Sequence, residues 1–160
     1  GIGRWDEDRV GMYTTELFKS DGEPRTVHMG VDLQADEGTP VFAALPGVIW
    51  GAQILPSPGD YGGTIIVRSS FLTAGGRRQE IFVLYGHLSH LSVRRCEQGQ
   101  EIAQGDLLGW LGGPHENGGW NSHLHLQMSW LEPKSVDLPG AVSLRHRELA
   151  RILFPEPLLF

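Results

Sequence analysis

Glycine and proline interrupt this chain so often that no long regular element fits between them. The 160 residues include 22 glycines and 10 prolines. The apolar runs they bound have strand length, roughly 4–8 residues. Candidate strands are Thr26–Leu33, Pro40–Ala44, Gly47–Ala52, Gly63–Arg68, Glu80–His87, Leu107–Leu111 and Ser122–Met128. The stretches SPGDYGG (57–63) and TAGGRRQ (73–79) read as turns, and EQGQEIAQGD (97–106) as two tight turns around a short strand. No clear helix separates one strand from the next, which disfavours a parallel βαβ sheet. The expected fold is mainly β, an antiparallel sheet or β-sandwich with a short C-terminal helix. Two helices are expected. A weakly patterned one lies near Asp6–Lys19. The other is Ser143–Phe154, with Ser143 as its cap, Leu144, Leu149, Ile152 and Leu153 as its apolar positions, and Pro155 as its stop.

Two of the candidate strands pose a problem of polarity. In NSHLHLQMSW (121–130), alternation puts His123 and His125 on one face and Leu124, Leu126 and Met128 on the other. In TVHMGVDLQA (26–35), His28, Gly30, Asp32 and Gln34 share a face opposite Val27, Met29, Val31 and Leu33. With only Gly30 between them, His28 and Asp32 leave room for an ion. A further histidine, His87, follows a Tyr-Gly pair at a strand end in VLYGHLSHLS (83–92). Zinc takes imidazole nitrogen and carboxylate oxygen, and a catalytic site keeps a fourth position open to water. Bound zinc lowers the pKa of that water to about 7. A proton-handling group is needed beside the open position. Two His–Asp–His ligand sets can be drawn, because spacing does not choose between His123 and His125.

The chain length suits one domain with a real core. Its composition, 40% hydrophobic and 20% charged, is globular. Net charge is −6, and the only basic pairs are Arg77-Arg78 and Arg94-Arg95, which argues against nucleic acid as a partner. No apolar run approaches the roughly 20 residues of a membrane span. No signal-peptide pattern opens the chain, but it starts at Gly1, so localisation is left open. The single cysteine, Cys96, excludes an internal disulfide and is read as a passive small residue.

Three motifs occur in order: HxxxD at His28 and Asp32, Tyr-x-His at Tyr85 and His87, and HxH at His123 and His125. Together they resemble the M23 peptidases, the lysostaphin-like zinc endopeptidases. The stretches GVDLQADEGTPVFAALPGVIWG (30–51) and GQEIAQGDLLGWLG (99–112) resemble the same family. The resemblance covers about Arg25 to Trp130, dividing the chain into an N-terminal extension (1–24), a peptidase-like domain (25–130) and a C-terminal tail with a short helix (131–160). It implies the family's β-sandwich hybrid fold and one Zn2+ per chain, held by His28, Asp32 and His125. His87 and His123 would serve the chemistry. The implied reaction is hydrolysis of peptide bonds by a metal-bound water, with a peptide partner of the peptidoglycan type. A narrower similarity, in YTTELF, DYGGTIIV, LYGHLS, NGGW and DLPGAV, is to the M23 domain of fusion proteins. There a kinase-like domain precedes it and a class III aminotransferase domain follows, with FPEPLLF as the linker. That setting implies the cytoplasm, whereas a typical member implies the cell envelope.

Some residues fall outside the motifs. The family's common histidine after the central strand is replaced by Arg68, Ser69 and Ser70, which bears on pocket shape. His115 is a candidate for lining the site, with a plain surface residue the commoner reading; His90 and His146 are expected to be surface residues, and Asn117 and Trp120 to shape the cleft mouth. The glycine-rich loops 53–62, 71–79 and 112–121 are expected to wall a narrow groove suited to small residues such as glycine or D-alanine. A biotinyl or lipoyl carrier domain shares some of this texture but needs a lysine on a hairpin. The only lysines, Lys19 and Lys134, lie outside the β core. A non-catalytic zinc or scaffold module is the remaining alternative.

Overall fold

The fold was obtained as a computed structural model, which describes residues 1–19 and 22–159. Its centre is a hairpin of two long strands, β7 (Gly62–Leu72) and β8 (Arg78–Leu88). Their apolar runs are nearly continuous because both faces are covered. Ile65, Val67, Ile81, Val83 and Tyr85 enter one hydrophobic cluster; Ile66, Phe82 and Leu84 enter a second on the other face. Around them runs a seven-stranded antiparallel sheet. The other members are β1 (Ile2–Gly3), β4 (Val31–Gln34), β6 (Gly47–Leu55), β9 (Glu101–Ile102) and β11 (His123–Ser129), in the order β1-β4-β11-β8-β7-β6-β9. A two-stranded sheet of β5 (Pro40–Phe42) and β10 (Leu107–Trp110) contributes Val41 and Leu108 to the first cluster. A three-stranded sheet, β12-β3-β2, contributes Val27 and Val142 to the second; it comprises β2 (Glu7–Asp8), β3 (Val27–His28) and β12 (Ala141–Val142). The mainly β, antiparallel expectation holds.

Several local expectations fail. Thr26–Leu33 is not one strand. It breaks at Met29–Gly30, and its halves join different sheets, because β2 and β12 pair with β3 while β1 and β11 flank β4. The Asp6–Lys19 helix does not form. Its start is β2, and only Glu16–Phe18 is helical, as a 3-10 turn. The C-terminal helix is shorter and differently faced. A 3-10 turn (Leu144–His146) leads into α2 (Arg147–Leu153), and Ser143 makes no side-chain cap. Leu144, Leu149 and Ile152 are exposed, while Ala150 and Phe154 are buried. A short helix absent from the sequence reading, α1 (His90–Arg95), follows β8 and is capped by Ser89. Among the described residues no helix is long and apolar enough to cross a membrane.

Candidate metal centre

Four strands bring the polar residues together. β11 lies between β4 and β8, with His125 opposite Asp32 on one side and Gly86 on the other. The alternation read from the sequence holds in β11. Leu126 and Met128 are in the core, and His123, His125 and Gln127 face away from it. His28 arrives from β3, across the break. Gly30 has a different use from the one expected. A Cβ there would meet the His125 ring and the Leu126 carbonyl, so the missing side chain makes room for the imidazole rather than for an ion.

The inward atoms of His28, Asp32 and His125 crowd one point. His28 Nε2 lies 3.0 Å from His125 Nδ1; Asp32 Oδ1 lies 3.0 Å from His125 Nδ1 and 3.2 Å from His28 Nε2. Four ligands placed tetrahedrally at roughly 2.0–2.1 Å from zinc are separated by about 3.4 Å, close to this triangle. The hydrogen-bond partners fix the tautomers. His28 Nδ1–H donates to the Arg4 carbonyl at 2.9 Å. His125 Nε2–H donates to Gln127 Oε1 at 3.0 Å, and the Gln127 amide is oriented by its NH2 on the Pro139 carbonyl at 3.3 Å. Both inward nitrogens therefore carry lone pairs, aimed at each other and at a carboxylate oxygen. Such a set repels itself unless a cation sits among its members, so the donors present fit a metal ion. These three residues are a group able to hold one.

Electrostatics agree with that chemistry. Burial alone would raise the Asp32 carboxyl, but the His125 and His28 rings beside it outweigh burial and hold the group far below the usual carboxylate range. Burial pushes His28 down, against the pull of Asp32, which favours the neutral, ligating imidazole. Asp32 Oδ2 is taken by Arg9 Nη1 at 2.7 Å.

His87 and His123 form a separate pair, their ring centroids 4.2 Å apart. His87 Nδ1–H donates to the Asn117 carbonyl at 2.9 Å, and His123 Nδ1–H to the Asn121 carbonyl at 2.6 Å. Nε2 is left to the groove in both; that of His123 lies 3.7 Å from Asp32 Oδ1. Burial lowers both pKa values, that of His87 strongly and with help from the charges of His123 and His125. His87 has φ +63°, a left-handed backbone that non-glycine residues occupy at a cost of about 1–3 kcal/mol and that clusters at functional sites. Its main chain is clamped on both sides: its N–H donates to Tyr61 O, and its C=O accepts from Gly112 N–H.

All five histidine and aspartate candidates line one groove of about 450 Å³. Its walls differ from those expected. The 71–79 turn takes no part, nor do Arg68, Ser69 and Ser70; the N-terminal residues Arg9, Tyr13 and Phe18 do. His115 does not line it and is exposed beside Glu116. His90 is half-buried against Glu116 rather than free on the surface. Trp120 is at the groove, in edge contact with Tyr13, Phe18 and His87. Asn117 is fully buried beneath it and ties Gly112 to Trp120. Sequence reasoning missed Arg4, Arg9, Tyr61 and Gln127. Only Gln127 had a signal, its place two residues after His125 on the same face.

Comparison with known proteins agrees with this architecture. Residues 26–138 match Peptidase family M23. Over 121 residues the chain is 29% identical to the peptidoglycan DD-endopeptidase ShyC of Vibrio cholerae serotype O1, covering 73% of this chain and 24% of that protein. The chain thus spans about a quarter of that relative's length. The catalytic domain of the prophage-encoded M23 protein EnpA from Enterococcus faecalis shares the fold at TM-score 0.57 and 18% identity, covering 88% of this chain and 85% of that one. The catalytic domain of lysostaphin from Staphylococcus simulans does so at TM-score 0.52 and 21% identity, covering 94% and 92%. With the family match spanning most of its length, the chain belongs to peptidase family M23, a family of hydrolases.

Proposed function

We propose that this chain is a zinc-dependent endopeptidase that cuts peptides of the peptidoglycan type. The observation that carries the reading is the cluster of His28 Nε2, Asp32 Oδ1 and His125 Nδ1, mutually within 3.0–3.2 Å, with two lone pairs and a carboxylate turned on one point. These three residues would hold the ion. When bound, zinc supplies Lewis acidity there, polarising a scissile carbonyl and acidifying a water near neutral pH. His87 and His123 handle protons. His87 is buried and His123 half-buried; both are low in pKa and anchored through Nδ1, so each offers a neutral Nε2 able to accept a proton from the attacking water. Once protonated, the same nitrogen donates to the oxyanion or to the leaving amine. The rigid backbone anchors of both rings keep that geometry in place before substrate arrives.

The peptidoglycan class is supported by the relationship to the ShyC endopeptidase. A zinc-loaded sample would be set to digest muropeptides and pentaglycine-containing peptides beside ordinary protein-derived peptides. Cleavage of the first two sets at bonds between small residues is expected. Cleavage confined to bonds flanked by large aromatic residues would overturn the substrate class. Zinc uptake without cleavage of anything would favour a scaffold role.

A further inference from the structure

The family match begins at residue 26, yet two of the three inward-facing groups are held from behind by residues before it. We propose that the first nine residues are a built-in outer shell of the metal centre, with Arg9 the positioning residue for Asp32. This rests on the zinc reading above.

Both short N-terminal strands pair at ligand positions. In the β1–β4 pair, Gly3 lies opposite Asp32; in the β2–β3 pair, Glu7 lies opposite His28. The Arg4 carbonyl, between the two strands, accepts His28 Nδ1–H and so turns Nε2 inward. The Arg9 guanidinium, only 8% exposed, donates to Asp32 Oδ2 at 2.7 Å and to Tyr13 Oη at 3.1 Å through Nη1. With Oδ2 occupied, Asp32 can offer a metal only Oδ1, the oxygen that faces both histidines. Glu7 ties the two contributions together: its Oε2 accepts Arg9 Nε–H at 3.0 Å and the Arg4 amide at 3.3 Å. An unpaired guanidinium beside a dication would weaken binding. Glu7, Arg9 and Asp32 together carry one net negative charge, the same as Asp32 alone, so the positioning comes without that repulsion. Gly3 fits the same purpose. A Cβ at this position would run into both the Arg9 guanidinium and the Asp32 carboxylate.

Outer-shell partners of metal ligands typically change affinity by roughly 10–100-fold when removed. Zinc affinity would be measured on the whole chain by competition with a chromophoric chelator, with circular dichroism to confirm folding. Arg9→Met is expected to weaken zinc by roughly 10–100-fold, with Arg9→Lys recovering part of the loss. Gly3→Ala should weaken it too, although the charge of Arg9 remains. Arg147→Met is the control. Arg147 anchors the same segment through Asp6, at 2.8 and 3.0 Å, but touches no proposed ligand, so its loss should leave zinc affinity unchanged. Equal losses in Arg9→Met and Arg147→Met would mean that Arg9 only braces the segment, and would overturn the assignment. So would wild-type affinity in Arg9→Met. Should Arg9→Met fail to fold, amide exchange in the wild-type chain decides: zinc should slow exchange over residues 2–9, and unchanged exchange there overturns the proposal. A wild-type chain that takes up no zinc overturns this inference and the zinc reading together.

Discussion

Two pairs of histidines sit side by side in one groove, and they are built in opposite ways. His28 and His125 have their outward nitrogens on Arg4 O and Gln127 Oε1, and their inward nitrogens meet each other and Asp32. They use different atoms to do so, Nε2 for His28 and Nδ1 for His125. His87 and His123 both anchor Nδ1 on a loop carbonyl and both present Nε2. His123 and His125 are two residues apart on the same strand face, yet they fall on opposite sides of this division. Position on the strand therefore does not decide an imidazole's role. The partner of its outward nitrogen fixes the tautomer, and the neighbours of its inward nitrogen decide whether that lone pair binds a cation or a proton.

The sharpest way to break the comparison is to remove one member of each pair. His125→Ala takes away a lone pair from the crowded triangle, so metal content after zinc reconstitution should collapse and hydrolysis with it. His87→Ala and His123→Ala should keep their zinc and lose about 10²–10⁴ in rate, the usual worth of a proton-handling group. Elemental analysis of each purified variant, read beside its rate on one peptide, separates the two classes. If His123→Ala strips the metal and His125→Ala retains it, the division is drawn in the wrong place.

The polar faces of the groove were readable from strand period, but this division was not: spacing left His123 and His125 equivalent, and only the family resemblance separated them. The HxH face follows from the alternation of His123 and His125 with Leu124, Leu126 and Met128. What was not readable depends on partners distant in sequence. The run from Thr26 to Leu33 has a strand's pattern, but it breaks at Met29–Gly30 because its halves pair with different strands, and at Gly30 the His125 ring, nearly a hundred residues away, fills the space of a side chain. Arg4 contributes a carbonyl, which every residue has, so nothing in its identity marks it. The helix pattern of Asp6–Lys19 is weak, and Glu7–Asp8 pairs instead with β3, a partner some twenty residues further along the chain. In the C-terminal helix the 3-10 opening advances three residues per turn rather than 3.6. That shifts the phase, and Leu149 and Ile152 emerge on the solvent side while Ala150 and Phe154 pack.

A milder substitution tests the outward anchors. Gln127 is fully buried, and its Oε1 is what keeps the proton on His125 Nε2. Gln127→Met fills a similar volume but accepts no comparable hydrogen bond. The imidazole is then free to change tautomer or to tilt, and zinc affinity should fall by roughly 10–100-fold while the fold is retained. The same type of change behind the other pair, at Asn117, cannot be made cleanly, because His87 uses the main-chain carbonyl there. Unchanged zinc affinity in Gln127→Met would mean that packing against Tyr61 and the Gly30 gap orients His125 unaided.

The smallest expected effect is on the pH dependence of stability, and it concerns His87. Burial, reinforced by the charges of His123 and His125, holds its pKa well below the ordinary imidazole value. The unfolded chain has His87 near about 6.5 and so binds its proton at higher pH than the folded chain does. The His87 contribution to stability is therefore fully present above about pH 6.5 and is lost as pH falls from there toward the folded value. The slope of that loss is at most about 1.4 kcal/mol per pH unit, the worth of one proton. His87→Gln keeps a hydrogen-bond donor for the Asn117 carbonyl but cannot titrate. Denaturant midpoints of the two metal-free proteins, measured from about pH 8 down to about pH 5, should run parallel at the upper end; Asp137, whose carboxyl burial pushes up to about 6, titrates in the same window but in both proteins alike. Below about pH 6.5 they should separate, with the wild type falling faster. If the two curves stay parallel throughout, His87 keeps an ordinary pKa in the folded protein. It would then be partly protonated near neutrality, and the reading of it as a neutral proton acceptor would have to pass to His123.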